Sequence, residues 1–188
     1  MGVVGRVRYR TWQFWRSMRP APLPSDHEEE VAAILNPNEM ELFHRLPLAD
    51  KHHCYRVMRT IKGTGHSENE LLAAAILHDV GKTEAQTTWW DRPLVVLAEA
   101  IAPAAAEKWA NGSGQGLSRP FKTKANHADW GANLALGAGS TALTVELIRR
   151  HHPDPASLIG TNQNDSVKST DEEFEQMLAL LRWADGIN

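Results

Sequence analysis

Six of the nine histidines in this 188-residue chain stand at His52-His53, His78, His127 and His151-His152, and an acid, Asp185, lies close to the last residue. Imidazole and carboxylate side chains bind cations and exchange protons under physiological conditions. Residues three, four or seven apart share one face of a helix, so apolar companions show which way each candidate points. His53 shares a face with Val57, His78 follows Leu71, Ala74 and Ala75, and His127 precedes Trp130, Gly131 and Leu134. His151 follows Leu147 and Ile148, His152 follows Val145 and Ile148, and Asp185 follows Leu178 and Leu181. These polar residues therefore point where the apolar stripes point. His52 is the internal control: its i+4 and i+7 neighbours are Arg56 and Arg59, which turn it toward solvent.

A lone histidine at a helix end is ordinarily a hydrogen-bonding or helix-dipole residue. That account suffices for His78 or His151 taken singly, and solvent exposure suffices for His27, His44 and His66. It does not explain separate helices each aiming a histidine or an acid inward. Burying such groups without partners costs several kcal/mol. A bound cation is the simplest common partner, because it neutralises carboxylates and uses imidazole lone pairs at once. His152 stands between ligand and bystander on this reasoning.

The elements that must position these residues read as helices throughout. Pro37 suits the first turn of a short helix ending near Leu46. Asp50 is expected to cap a helix running to Ile61, stopped by Gly63. Ser67 with Glu70 has the form of a capping box for a helix through Leu71 to His78, with Gly81 after the stop. Asp91 and Pro93 open an apolar helix interrupted at Pro103, and the glycine-rich stretch Asn111 to Ser118 reads as a loop. A helix is expected from about Lys124 to Leu136, with Ser140 capping the next, which Pro153 ends. Asn162 to Ser169 reads as a polar loop, and Thr170 with Glu173 as a second capping box before Phe174, Met177, Leu178 and Leu181. No run alternates in the manner of a sheet strand, so the fold class is all-α, a compact helical bundle.

The bulk numbers agree with a globular enzyme-sized domain. Hydrophobic residues at 42% and charged residues at 23% exclude a disordered chain, and a net charge of −3 argues against a nucleic-acid partner bound through overall charge. The single cysteine, Cys54, precludes an internal disulfide and a thiolate-rich metal site, in keeping with a reducing cytoplasm. The longest apolar run, Leu71 to Leu77, is far short of a transmembrane segment, and no signal peptide is evident. Residues 1–35 divide from 36–188. Arg6, Arg8, Arg10, Arg16 and Arg19 form a basic arm with an apolar side, suited to peripheral contact with a membrane, its own domain or a partner subunit. Pro20 to Pro24 followed by Ser25 and the acidic Asp26 to Glu30 reads as a linker.

His53, the pair His78-Asp79 and the distant Asp185 resemble the H…HD…D signature of the HD domain superfamily. Leu77-His78-Asp79-Val80-Gly81-Lys82 is similar to its LHDIGK motif. His127 to Ala132, followed by His151-His152, resembles the H…HH portion of two-metal members. The similarity spans about Asn38 to Asn188. It implies an HD-domain bundle in which His53, His78 and Asp185 hold one metal, His127 and His151 a second, and Asp79 bridges both, with His152 auxiliary. It also implies that Lys82 meets a substrate phosphate as a point charge. Arg149 and Arg150 are further candidates for that task or ordinary surface residues. Pro153-Asp154-Pro155 follows the histidine pair and no G-Y-P motif is present, so cyclic-di-GMP hydrolysis is not implied. Ala49 stands where three-metal members carry an extra acid.

The implied activity is a metal-dependent phosphohydrolase acting on a nucleotide or other small phosphorylated substrate. Two divalent cations about 3.5–4 Å apart can activate a water and stabilise an in-line displacement. Ligands without thiolate suit Mn, Fe, Ni, Co or Zn. Two other readings use the same residues: an HD-type di-iron oxygenase, similar in its ligands to myo-inositol oxygenase, and a non-catalytic signalling module that holds metal for stability.

Overall fold

In the computed structural model the described residues are 21–85, 118–152 and 168–188, together with Ala98, Ile101 and Trp109. The basic arm, the helix expected from Asp91, the glycine-rich loop up to residue 117 and most of the loop from 153 lie outside them. Among the described residues the protein is all-α, with no strand. Seven α-helices follow in chain order: α1 (Ser25–Ala32), α2 (Pro37–Arg45), α3 (Leu48–Gly63), α4 (Asn69–Leu77), α5 (Arg119–Gly137), α6 (Ala142–Arg150) and α7 (Lys168–Ile187). A 3₁₀ turn, Val80–Glu84, follows α4.

Helix α4 is the axis of the fold. Leu71 to Leu77 are all buried, as a helix apolar on every side requires. Helices α3 and α6 pack on it, α5 lies against α6 and the 3₁₀ turn, and α7 closes the bundle over α3 and α6. Met58, Ile61, Leu71, Ile76, Leu147, Ile148, Leu178 and Leu181 are among the largest fully buried side chains. None of the described helices is long and apolar enough to cross a membrane.

Several helix boundaries differ from those expected. Ser25 to Glu30 is not linker but most of α1, and Leu23, Val31 and Leu35 belong to the core. Glu30 on that helix accepts from Tyr55 Oη (2.8 Å), Arg59 and Lys62 (2.7 Å), which hold its carboxyl down to about 2 although burial opposes this. Asp50 is not a cap; α3 begins two residues earlier and Asp50 is buried in its first turn. Ser67 and Glu70 form no capping box, because α4 starts after Glu68, whose own carboxylate takes the Ser67 amide. Helix α7 begins at Lys168, ahead of Thr170, and α5 begins at Arg119 rather than near Lys124.

The real capping box is Asn36 with Glu39. The Asn36 side chain accepts from the Glu39 amide at 3.0 Å, and Glu39 Oε2 accepts from the Asn36 amide at 2.8 Å. Ser140 caps nothing: its hydroxyl donates to Glu39 Oε1 at 2.5 Å, and Thr141 caps α6 through the Thr144 amide. Between α5 and α6 the chain reverses through Gly139, whose φ of +83° suits glycine, with the Gly139 and Ser140 amides bonded back to Leu136 and Ala135. These bonds, with Asn36 Nδ2 to the Ala138 carbonyl (3.2 Å), fasten α2 to the α5–α6 turn and fix the direction in which α6 carries its last residues.

Candidate metal centre

Five helices and one turn deliver the candidate side chains to one place. His53 comes from the middle of α3 and His78 caps the C-terminus of α4. Asp79 starts the 3₁₀ turn, and His127 lies inside α5. His151 caps α6 with His152 after it, and Asp185 lies in the last turns of α7. His78, Asp79, His127 and His151 are buried, with at most 2% exposure each, whereas His53 and Asp185 are half-buried and His152 is exposed. The rings run in a chain of close neighbours: His53–His78 at 5.4 Å between centroids, His78–His151 at 5.1 Å, His151–His127 at 5.2 Å and His127–His152 at 4.7 Å.

The hydrogen bonds fix which nitrogen faces inward. His78 Nδ1 donates to the Ala75 carbonyl (2.9 Å), His127 Nδ1 to the Thr123 carbonyl (3.1 Å) and His151 Nδ1 to the Ile148 carbonyl (2.6 Å). A carbonyl only accepts, so Nδ1 carries the proton in all three, and in the neutral ring Nε2 presents a lone pair. Among the described residues, His78 Nε2 and His151 Nε2 are buried with no hydrogen-bond partner. A backbone carbonyl on one ring nitrogen and an inward lone pair on the other is the arrangement that metal-binding histidines adopt.

The ligand atoms fall into two groups. Those of His53, His78 and Asp79 lie within 4.8 Å of one another, and so do those of His127, His151 and His152. Asp79 faces both. Its Oδ2 is 3.7 Å from His78 Nε2 and 4.0 Å from His53 Nε2, while its Oδ1 is 3.8 Å from His127 Nε2. Asp185 Oδ1 joins the first group, 2.8 Å from His53 Nε2 and 3.4 Å from His78 Nε2. Either group can hold a metal ion.

Electrostatics separate the two groups. Burial raises the carboxyl pKa of Asp79, but His78, Lys82 and His127 outweigh it and hold that pKa well below the usual carboxylate range. Burial acts likewise on Asp185, and its hydrogen bond to His53 together with the nearby His78 imidazole outweighs it. Burial disfavours a charged His78, yet Asp79 and Asp185 raise its pKa above the ordinary value. His151 goes the other way: burial and then the neighbouring imidazoles His78, His127 and His152 push it well below. His152, though exposed at its edge, is also lowered, chiefly because its neighbours displace part of the ring's solvent, against the pull of Asp185 and Asp79.

The remaining candidates sort by contact. Lys82 Nζ donates to Asp79 Oδ2 at 2.5 Å, one turn along. Arg149 is paired with Glu146 and Asp129, and Arg150 with Glu175, as surface residues. His44 bonds Glu28, His66 bonds Glu68, and His27 stacks on Tyr55, all outside the centre. His52 also stays outside, though half-buried, with Nε2 on the Ala21 carbonyl at 2.8 Å.

Two glycines carry more of the architecture than their local sequence suggests. Gly81 follows the stop of α4, as expected, and lies inside the 3₁₀ turn, where a Cβ would overlap the His127 carbonyl and approach the Gly131 nitrogen to 2.5 Å. A Cβ on Gly131 would meet the Gly81 nitrogen at 3.2 Å and Ile148 Cγ2 at 3.3 Å. The two glycines let the turn carrying Asp79 lie directly on the helix carrying His127. The signal was present as Gly81 two residues after Asp79 and Gly131 four after His127, but its meaning depends on their pairing in space.

Comparison with protein-family models, curated proteins and solved structures finds no match to this chain.

Proposed function

We propose that this chain is a metal-dependent phosphohydrolase of the HD kind, which cleaves a phosphate ester or anhydride in a nucleotide or other small phosphorylated compound. His53, His78 and Asp185 hold one divalent cation and His127 and His151 a second, with Asp79 shared and His152 auxiliary. The observation that carries this reading is the convergence of Nε2 atoms from separate helices upon the two oxygens of one buried carboxylate. Two buried imidazole nitrogens among them, those of His78 and His151, have no hydrogen-bond partner among the described residues. Thiolate is absent from the set, which fits Mn, Fe, Ni, Co or Zn in an open catalytic site.

Bound there, two such cations supply Lewis-acid stabilisation of a phosphoryl group and a water that ionises near neutral pH. The protein's own contribution is positional and electrostatic. Asp79 stays ionised and offers one oxygen to each group. The carbonyl bonds at Nδ1 hold the His78, His127 and His151 rings in one tautomer, with Nε2 toward the centre. Lys82 brings a positive charge to the edge of the same carboxylate, and its partly exposed ammonium is placed to meet a phosphate oxygen. The buried sole cysteine, whose thiol pKa is raised first by burial and then by Asp79, takes no part and suits a cytoplasmic setting.

The test is metal content after native expression, followed by assay of Mn- and Ni-loaded protein on aryl phosphates and a nucleotide panel. Phosphate release that a chelator abolishes is the expected result. Oxygen consumption without phosphate release would replace this reading by the oxygenase one, and metal without either activity by the signalling module.

A further inference from the structure

Helix α6 ends where its function begins. His151 is its C-cap, and its own amide reaches the Ile148 carbonyl only at 3.5 Å. The carbonyls of Arg150, His151 and His152 stand at and just beyond the helix end, where the helix itself offers no further amide donors, and Pro153 in the sequence has no N–H to offer. One side chain answers all three. Arg182 Nη2 donates to the Arg150 carbonyl at 2.7 Å and to the His152 carbonyl at 3.4 Å. Its Nε lies 3.2 Å from the carbonyls of both Arg150 and His151.

Arg182 belongs to α7, three residues before Asp185. One turn of α7 therefore carries an acid of the first ligand group and a guanidinium that grips the main chain of two ligands of the second. The planar fork makes this a directional clamp, whereas an ammonium would make a single-point contact. Other ties between α6 and α7, Arg150 to Glu175 at 2.7 Å and Arg150 over the Phe174 ring at 5.0 Å, lie at the exposed rim and do not touch these carbonyls.

We infer that Arg182 is a positioning residue for the second metal: it fixes His151 and His152 relative to Asp185 and so sets the affinity of the His127–His151–His152 group without touching the ion. The inference rests on the metal reading above.

Zn²⁺ titration of the full chain by calorimetry, with histidine-selective ¹⁵N NMR to show which rings respond, tests it. Wild-type protein is expected to take two equivalents. Arg182→Met, which keeps the aliphatic stem, is expected to keep the response of His53 and His78 at wild-type Zn²⁺ concentrations. Saturation of His127, His151 and His152 is expected to need about 10–100-fold more metal, the usual cost of losing an outer-shell partner. Arg182→Lys should fall between, and Glu175→Gln, which breaks only the rim pair, should match wild type. Equal weakening at both groups, or none, in Arg182→Met and Arg182→Lys overturns the inference while leaving the metal centre standing. Wild-type protein that takes up no Zn²⁺ brings down the metal reading and this inference with it. If Arg182→Met does not fold, the lysine variant decides, since it retains the charge and loses the fork.

Discussion

The two ligand groups are built from similar residues yet differ in charge. The first, His53, His78 and Asp185, places carboxylate oxygens 2.8–3.4 Å from its imidazoles, and its central histidine has a raised pKa. The second, His127, His151 and His152, is all imidazole, reaches Asp79 only at 3.8 Å, and has two histidines with lowered pKa values. The acids that favour a proton on His78 favour any cation there, so proton and metal compete for one lone pair. At His151 proton binding is already disfavoured, and its lone pair stays available. The same residue type thus provides a proton-competed position and a proton-poor one, a few ångströms apart, through the placement of Asp79 and Asp185.

The harshest way to break this contrast is to remove what the groups share. Asp79→Ala should reduce bound metal from two equivalents to none and lower phosphate release by about 10²–10³-fold or more; full occupancy by elemental analysis would contradict a bridging role. Next come His53→Ala and His127→Ala, each expected to lose one equivalent from its own group only, as read by histidine NMR. Loss of both equivalents from either variant would show a single coupled site. Gly81→Ala should lower stability by about 1–3 kcal/mol in chemical denaturation, because its Cβ meets main chain that cannot rotate away. Gly131→Ala should cost less, its contacts being 3.2–3.3 Å. The reverse order would mean that the turn, not α5, gives way.

The gentlest separation is by pH. His78 has a raised pKa, so metal uptake by the first group should be complete only above that value and should fail first as pH drops through it. His151 and His152 have lowered pKa values, so the second group should still take up metal at a pH where the first has released it. Zn²⁺ titrations at stepped pH between 8 and 5.5 check the order. Loss from the second group first would invert the assignment.

Much of this centre was legible because helical periodicity is a local property. Val57 beside His53, and Leu178 and Leu181 before Asp185, announced inward faces that the structure brings together. The apolar run Leu71 to Leu77 likewise announced a helix buried on all sides. The misplaced caps failed for a non-local reason. Ser140 has the residue type of a cap, but a buried carboxylate 101 positions away takes its hydroxyl, and Thr141 does the capping. Asp50 likewise has the residue type of a cap, but Pro47 and Leu48 start the helix. Arg182 was invisible because an arginine on a helix carries no sign of whether three carbonyls of another helix lie within its reach.

The main-chain meeting of Gly81 with His127 and Gly131 has a consequence for tuning. Elsewhere in the interior a change in side-chain volume can be absorbed by rotamers. At this joint peptide rests on peptide, so the distance between the turn carrying Asp79 and the helix carrying His127 is set by main-chain contact. Side-chain substitutions around the centre are then expected to leave the separation of Asp79 and His127 unchanged.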